Sequence, residues 1–275
     1  MLLNKYAPWI AGALIVWAQT ALGAESAVVA KHFRFTYSAT NTSSQTISEA
    51  DIRVPIPQRK TPYQTRVDVS SSLPITATGV DWAEVRVPAT PPFGRVDFLL
   101  NVSMSFEREA KAEPADKAYL QGERFIEKDD NKIRSTALRL MKGNDTRSTL
   151  SNLYRWVRTS LRPLGYTANP RGALQAFQSR QGDCTEYALL LTAMARSIGI
   201  PARVAEGYVY RESARIRPTD YHNWVEVQIE GTWFPVDTYE GRFLDRTSDY
   251  LVMNYWGSQI MPGFVKLRDW IVRLE

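Results

Sequence analysis

The sequence predicts an α+β protein in which an antiparallel β-sandwich precedes an α+β domain. Apolar and polar residues alternate through the first third of the chain, which is typical of strands with one buried face. After about residue 110 the apolar spacing becomes helical, and strand-like runs return after residue 200. The 275 residues are enough for one large domain or two domains of ordinary size.

The N-terminus has the features of an export signal. Lys5 precedes an apolar run over residues 9–18, and small residues follow in TALGA before Glu25. We expect a signal peptide over residues 1–24, with an uncleaved membrane anchor as the alternative. No later stretch is apolar enough to span a bilayer, so we expect no stable membrane span after cleavage.

The composition is that of a globular protein, with 44% hydrophobic and 23% charged residues. The formal net charge of +5 makes the chain mildly basic, but Lys and Arg are scattered rather than clustered. We interpret this charge as a solvated surface and expect no nucleic-acid binding.

The predicted sandwich covers residues 25–110. Its clearest strand is RVDFLLNVSMSF, in which every second residue from Val96 to Phe106 is apolar. Similar alternation occurs in KHFRFTY and DIRVPIP, and Gly, Pro and Ser clusters separate these runs. The charged stretch EREAKAEPADKAY marks a boundary near residue 110, and we assign residues 111–275 to the second domain.

The second domain begins with predicted helices. Asp130 is a suitable N-cap for the first of them, and Gly143 is a suitable stop. The next helix places apolar residues from Leu150 to Leu161 on one face, and Pro163 is expected to end it. A further helix, which begins at the cysteine of GDCTEYALLLTAMA, has Thr192 as its one polar residue between Tyr187 and Ala195, so we expect it to be buried on all sides.

Cys184 is the one cysteine in the sequence, and it stands at the start of this helix. A leftover cysteine in an exported protein is either a reactive thiol or a small buried hydrophobe. The unpaired N–H groups and the dipole at a helix N-terminus favour a thiolate and accept a developing oxyanion. The position therefore favours a nucleophile.

A base and an orienting carboxylate are predicted from the segment HNWVEVQIEGTWFPVDTY. A two-residue turn at Glu230 and Gly231 would form a hairpin in which His222 and Asp237 are diagonal neighbours on one face. Val225, Val227, Ile229, Phe234 and Val236 would then form the opposite, core-facing side. Cys184, His222 and Asp237 together supply a nucleophile, a base and an orienting group. One cysteine and one available histidine fall short of a metal-ligand set, so we expect no metal and no cofactor.

The segments GDCTEYALLLTAMARSIGIPARVAEGYV and HNWVEVQIEGTWFPVD resemble the transglutaminase-like superfamily in its bacterial form. The resemblance runs from about residue 115 onward and implies a papain-like α+β fold with Cys184, His222 and Asp237 as the catalytic triad. An N-terminal β-sandwich is also similar to what bacterial members carry. One departure is Asn223, since the residue after the histidine is often Ala in the family.

Other residues are assigned by this resemblance. The family usually adds an aromatic or amide side chain to the backbone N–H of the cysteine as an oxyanion donor. Tyr166 is a candidate by placement, and Gln178 is a candidate by analogy with papain-like proteases. Trp224 shares the face of His222 and is a candidate wall of the acyl-binding groove, whereas Glu186 and Tyr187 are expected to support the structure.

The expected activity is cysteine acyl chemistry on protein or peptide amide bonds through a thioester on Cys184, in the bacterial periplasm or outside the cell. The substrate is expected to be a protein or peptide, such as one of the cell envelope. Hydrolysis by a peptidase or amidase is favoured, and a transglutaminase that uses an amine acceptor is the alternative. A binding or scaffold module without catalysis is the alternative from another class.

Overall fold

The computed structural model describes residues 28–108, 110–114, 116–257, 264–267 and 269–275. The predicted signal peptide lies outside these residues. The described chain contains four α-helices and antiparallel sheets, as expected for the α+β class. None of the described helices is both long and apolar enough to cross a membrane.

Six strands form the N-terminal part. They are β1 (Val28–Asn41), β2 (Ala50–Pro55), β3 (Gln64–Ser71), β4 (Ile75–Thr78), β5 (Trp82–Val87) and β6 (Arg95–Glu107). β1 pairs with β6 along its length and β6 pairs with β3, while β2, β5 and β4 form a second sheet. The apolar residues of the two sheets share one core, because the predicted alternation aims Phe35 and Leu100 of the first sheet and Ile52 and Val54 of the second inward. The predicted sandwich is confirmed.

The helices follow in the order expected. They and two short strands are α1 (Asn131–Leu140), α2 (Thr146–Ser160), β7 (Arg162–Pro163), α3 (Ala173–Ser179), β8 (Gln181–Gly182) and α4 (Cys184–Ser197). Asp130 caps α1 by accepting hydrogen bonds from the Lys132 and Ile133 N–H groups, as predicted. α4 is buried on all sides, with every residue from Glu186 to Arg196 inside. The three other helices pack around α4.

The remaining strands are β9 (Ala202–Val209), β10 (Ala214–Arg215), β11 (His222–Ile229), β12 (Thr232–Asp237), β13 (Arg242–Phe243), β14 (Tyr250–Tyr255), β15 (Phe264–Leu267) and β16 (Trp270–Leu274). A central sheet has the strand order β13-β12-β11-β9-β14. One face of it packs on the helices through Val225, Val227, Ile229 and Val236, with Phe234 partly buried beside them, as predicted. The other face packs on the N-terminal sheets through residues such as Trp224 and Tyr250. The central sheet is therefore the middle layer of the molecule.

The C-terminal strands differ from the prediction. β16 pairs with β1 from Tyr37↔Leu274 to Asn41↔Trp270, and β15 pairs with β16. β15 and β16 thus extend the N-terminal sheet, although they come after the predicted division at residue 110. A strand can pair along both of its edges. β6 pairs with one edge of β1, so the other edge is free to pair with β16.

Candidate active site

The nucleophile candidate Cys184 is held by a tightly capped helix start. Asp183 is the N-cap of α4 and its Oδ1 accepts the Thr185 N–H at 2.8 Å, while the Glu186 carboxylate accepts the Asp183 N–H at 3.2 Å. Cys184 is the first helical residue and is partly exposed. The cap therefore fixes Cys184 at the positive end of the helix dipole.

Asp183 also fixes the loop before the helix. Its Oδ2 accepts the Thr167 N–H at 2.8 Å and the Thr167 hydroxyl at 2.9 Å. Burial raises the pKa of Asp183, but the hydrogen bonds from Thr167 and Thr185 outweigh it and hold the pKa below the usual value. The sequence alone suggested no more than a loop residue at this position.

Glycine is required directly before this cap. A Cβ on Gly182 would lie 2.3 Å from the Cβ of Glu186, which is fully buried. Glu186 bonds the Arg171 N–H at 2.9 Å and lies 3.6 Å from the Arg171 guanidinium. Glu186 and Tyr187 have structural contacts, since the Tyr187 hydroxyl donates to the Leu161 carbonyl at 2.7 Å.

His222 and Asp237 lie on the predicted hairpin. Glu230 and Gly231 form its turn, both with positive φ, and Ile229 pairs with Thr232 as predicted. The His222 Nε2 atom is 2.7 Å from Asp237 Oδ2, so this nitrogen carries a hydrogen and donates it. The second carboxylate oxygen of Asp237 accepts the Glu240 N–H at 2.9 Å. Both oxygens of this buried carboxylate are thus held.

His222 also interacts with Cys184. Burial would lower the pKa of His222, but hydrogen bonds to Asp237 and Cys184 and the charges of both raise it to about 10. Because Nε2 is used by Asp237, the nitrogen available to the thiol is Nδ1. The structure therefore brings together all three residues that the sequence predicted.

A second contact joins the same two elements. The Asn223 Nδ2 group donates to the Thr185 hydroxyl at 2.9 Å. Within the described part of the chain, Asn223 Oδ1 is buried with no hydrogen-bond partner. The Asn223 side chain therefore ties β11 to α4 beside the reacting groups.

These residues open into a cleft of 860 Å³. Its lining is rich in tyrosine and contains charged groups on both sides, namely Tyr166, Asp183, Cys184, Tyr208, Val209, Tyr210, Arg217, Pro218, Thr219, Asp220, Tyr221, His222, Tyr239, Glu240 and Arg242. The sequence reasoning identified Tyr166 and missed the other four tyrosines, of which Tyr221 and Tyr239 are next to the triad in the sequence. Tyr221 directly precedes His222, and Tyr239 lies two residues after Asp237, so their position beside the triad was the available signal.

Tyr221 and Tyr239 border the reactive groups. The Tyr239 ring centroid is 6.1 Å from that of His222. Burial, followed by the charge of Cys184, raises the pKa of Tyr239. The Tyr221 hydroxyl donates to Glu206 at 3.3 Å, and burial followed by the Glu206 charge raises the pKa of Tyr221. The walls next to Cys184 are therefore aromatic with neutral hydroxyl groups.

The other predicted site residues have different positions. Tyr166 lines the cleft and is 83% exposed, beside the Thr167 contact to Asp183. Gln178 is exposed on α3 and is not among the described cleft residues, because the helix turns its side chain outward. Trp224 is 1% exposed in the core beneath Tyr250, and its ring stacks on His222 with centroids 6.5 Å apart. Trp224 packs against the His222 ring from the protein core. It is not a groove wall, since the N-terminal sheets cover its face of the central sheet.

The chain is similar to known proteins in part of its sequence and in its fold. Residues 134–238 match the profile of the transglutaminase-like superfamily. The matched segment contains Cys184 and His222 and ends directly after Asp237. Among the described residues, no group of three or more His, Cys, Asp or Glu side chains is arranged to hold a metal ion.

Similar proteins cover different parts of the chain. A protein from Cytophaga hutchinsonii described as a candidate cysteine protease has a TM-score of 0.53 at 16% identity, covering 90% of this chain and 100% of that chain. The periplasmic domain of TgpA from Pseudomonas aeruginosa has a TM-score of 0.41 at 18% identity, covering 74% of this chain and 87% of that chain. An uncharacterized protein of Mycobacterium leprae is 27% identical over 109 residues, 38% of this chain and 39% of that protein. The chain thus spans about two fifths of that relative, and the first of these likenesses shows the fold.

Proposed function

We propose that the protein is a cysteine acyl-transfer enzyme that cleaves protein or peptide amide bonds through a thioester on Cys184. The observation that carries this proposal is the His222–Asp237 contact of 2.7 Å, with Cys184 bonded to the same imidazole at a helix N-terminus. A pKa of His222 near 10 supports a thiolate–imidazolium pair at neutral pH.

The reaction begins from the ion pair in which the Cys184 thiol has already given its proton to His222. The thiolate attacks the amide carbonyl carbon, a C–S bond forms, and the carbonyl π electrons move to the oxygen. The backbone N–H of Cys184 donates to this oxyanion, and Tyr166 is the proposed side-chain donor. The oxyanion then collapses, the C–N bond breaks, and His222 protonates the leaving amine, which leaves a thioester.

The thioester is released by a second nucleophile. Water gives a proton to His222 and attacks the thioester carbon, the C–S bond breaks, and a carboxylic acid leaves. We favour hydrolysis because Cys184 is partly exposed and lines an open cleft. The chemistry is the same if a primary amine replaces water, in which case the product is a new amide and the enzyme is a transglutaminase.

The place of action belongs to the same proposal. The signal-like residues 1–24 support export to the periplasm or the cell exterior, with a protein or peptide of the cell envelope as the substrate. Sequencing the N-terminus of the protein isolated from the periplasm is expected to start at Glu25 or close to it. Recovery of the full chain in the cytoplasm contradicts export.

Alkylation with iodoacetamide across pH tests whether Cys184 is activated. We expect rapid reaction well below pH 8.5, the ordinary thiol value, and slow reaction in His222→Ala. Equal rates in the two proteins overturn the proposal and favour a binding module without catalysis. His32→Ala is the matched control, because His32 is an exposed histidine on β1.

The fate of the thioester separates the two acyl acceptors. Peptide amides that acylate Cys184 are followed by mass spectrometry with and without a high concentration of a primary amine. Hydrolysis predicts the free acid as the main product in both reactions. A dominant amine adduct contradicts hydrolysis and identifies a transglutaminase.

A further inference from the structure

One wall of the cleft is formed by a single segment between β9 and β11. Six residues of this segment line the cleft, namely Tyr210, Arg217, Pro218, Thr219, Asp220 and Tyr221. We call residues 210–221 the wall segment. It leads directly into His222, so its position affects the approach to the triad.

The wall segment is braced internally. Arg217 donates to both carboxylate oxygens of Asp220, at 2.8 and 2.9 Å. The Tyr210 hydroxyl also donates to Asp220. The beginning and the end of the segment are thus tied together, and whatever holds Tyr210 also holds the residues next to His222.

The N-terminal strand β1 holds the wall segment along several residues. β10 pairs with β1 in parallel at Phe33↔Ala214, and the Ile216 N–H donates to the Arg34 carbonyl at 2.8 Å. The His32 N–H donates to the Ser213 hydroxyl at 2.9 Å. The wall segment therefore adds the short strand β10 to the N-terminal sheet.

Lys31 is the buried end of this attachment. It is 3% exposed and lies on the inward face of β1, in line with Phe33 and Phe35. Its ammonium group donates to the Tyr210 carbonyl at 2.8 Å and to the Ser248 carbonyl, and it lies 3.5 Å from Asp249 Oδ1. Burying a lysine is costly unless its charge and its hydrogen-bond donors are satisfied. Here one contact holds the start of the wall segment, and the other two hold the 3-10 turn Thr247–Asp249 directly before β14.

We propose that Lys31 is a positioning residue that sets the width of the cleft by fastening the wall segment to β1. The inference rests on the proposed function of the cleft, since a wall position matters only where a substrate enters. Lys31 does not touch the reacting atoms. Its role is distinct from that of His222 and Asp237, which set the reactivity of the thiol.

The test uses the full-length mature protein and two reagents that share a chloroacetyl group. Chloroacetamide reports the reactivity of Cys184, and an N-chloroacetyl tripeptide amide reports this reactivity together with entry of a peptide into the cleft. In Lys31→Met we expect an unchanged chloroacetamide rate and a fall of at least fivefold in the ratio of the tripeptide rate to the chloroacetamide rate. Hydrogen–deuterium exchange is expected to rise in residues 210–221 and to stay constant in residues 184–197.

Two further variants make the outcome decisive. Lys111→Met is the matched control, because Lys111 is an exposed lysine away from the cleft, and both readouts are expected to match the wild type. If Lys31→Met does not fold, Ser213→Ala removes one bond to β1 from an exposed position, and the same changes are expected at smaller size.

The proposal is overturned if the ratio stays within twofold of the wild type, or if exchange in the wall segment does not change. Failure of the proposed function has a different signature. In that case chloroacetamide reacts with wild-type Cys184 and with the His222→Ala variant at the same rate.

Discussion

A hydrogen bond between Asn223 and Thr185 joins the start of β11 to the start of α4. These two element ends carry His222 and Cys184. Thr185 follows Cys184, Asn223 follows His222, and the amide of Asn223 donates to the Thr185 hydroxyl at 2.9 Å. The distance between the thiol and the imidazole is therefore fixed by a side-chain contact as well as by the packing of α4 on β11.

Removing the two partners of this bond is expected to have unequal effects. Asn223→Ala loses one hydrogen bond and also removes the unpartnered Oδ1 oxygen, so it should lower the free energy of unfolding by about 1 kcal/mol or less. Thr185→Val leaves the buried Asn223 amide without its acceptor and should cost about 1–3 kcal/mol. Urea unfolding of the two variants measures the difference, and an equal or reversed order contradicts the role assigned to the bond.

Gly182→Ala is expected to damage the helix start that carries Cys184. The new Cβ would meet the Glu186 Cβ at 2.3 Å, and Glu186 would have to leave its bond to the Asp183 N–H. Overpacking of this kind costs about 1–3 kcal/mol, and we also expect slower alkylation of Cys184. Gly165→Ala is the control, since nothing lies within 4 Å of a Cβ there. Thermal unfolding and iodoacetamide rates should separate the two variants.

The raised pKa of His222 predicts a loss of stability at alkaline pH. A group whose pKa is about 10 in the folded state and 6.5 when unfolded stabilises the fold fully below pH 6.5. This contribution falls as the pH rises and is gone above about pH 10. Because lysines and tyrosines titrate in the same range, the measurement is the difference between the wild type and His222→Gln in urea unfolding at several pH values. A difference that does not change between pH 6 and pH 10.5 rules out the charged pair.

The two oxyanion candidates are expected to behave differently. Tyr166→Phe removes a hydroxyl at the cleft and should slow acylation by a peptide amide about tenfold or more, with little effect on stability because the side chain is 83% exposed. Gln178→Ala changes an exposed residue of α3 and should leave the acylation rate within twofold. Stopped-flow measurement of thioester formation decides between them. A larger effect of Gln178→Ala than of Tyr166→Phe would identify Gln178 as the oxyanion donor, as in papain-like proteases.

The local parts of the site were predictable from the sequence. The Glu230–Gly231 turn and the alternation on either side of it determine which residues share a face, and this places His222 beside Asp237. The run of apolar residues after Cys184 indicates a buried helix, and the structure has it at the centre of the helical layer. Both patterns lie within about 20 residues, so the periodicity of one element or one hairpin contains the information.

The contacts between distant segments were not predictable. The alternation of β11 shows that Trp224 shares the face of His222, but it does not show that the N-terminal sheets cover this face. In the same way, Lys31 continues an apolar face of β1, and its burial depends on the wall segment about 180 residues later. Such pairings depend on which sheet edges and faces remain free, and the sequence pattern of a single element does not contain this information.

The pairing of β16 with β1 has a consequence for how the chain is made. Tyr37 and Leu274 are partners although they are more than 200 residues apart, so this edge of β1 lacks β16 until residues 270–274 have been synthesised. An unpaired strand edge is a template for pairing with another chain. The interval between synthesis of β6 and synthesis of β16 is therefore when the nascent protein is most prone to aggregate, and when a chaperone that covers strand edges has most to protect.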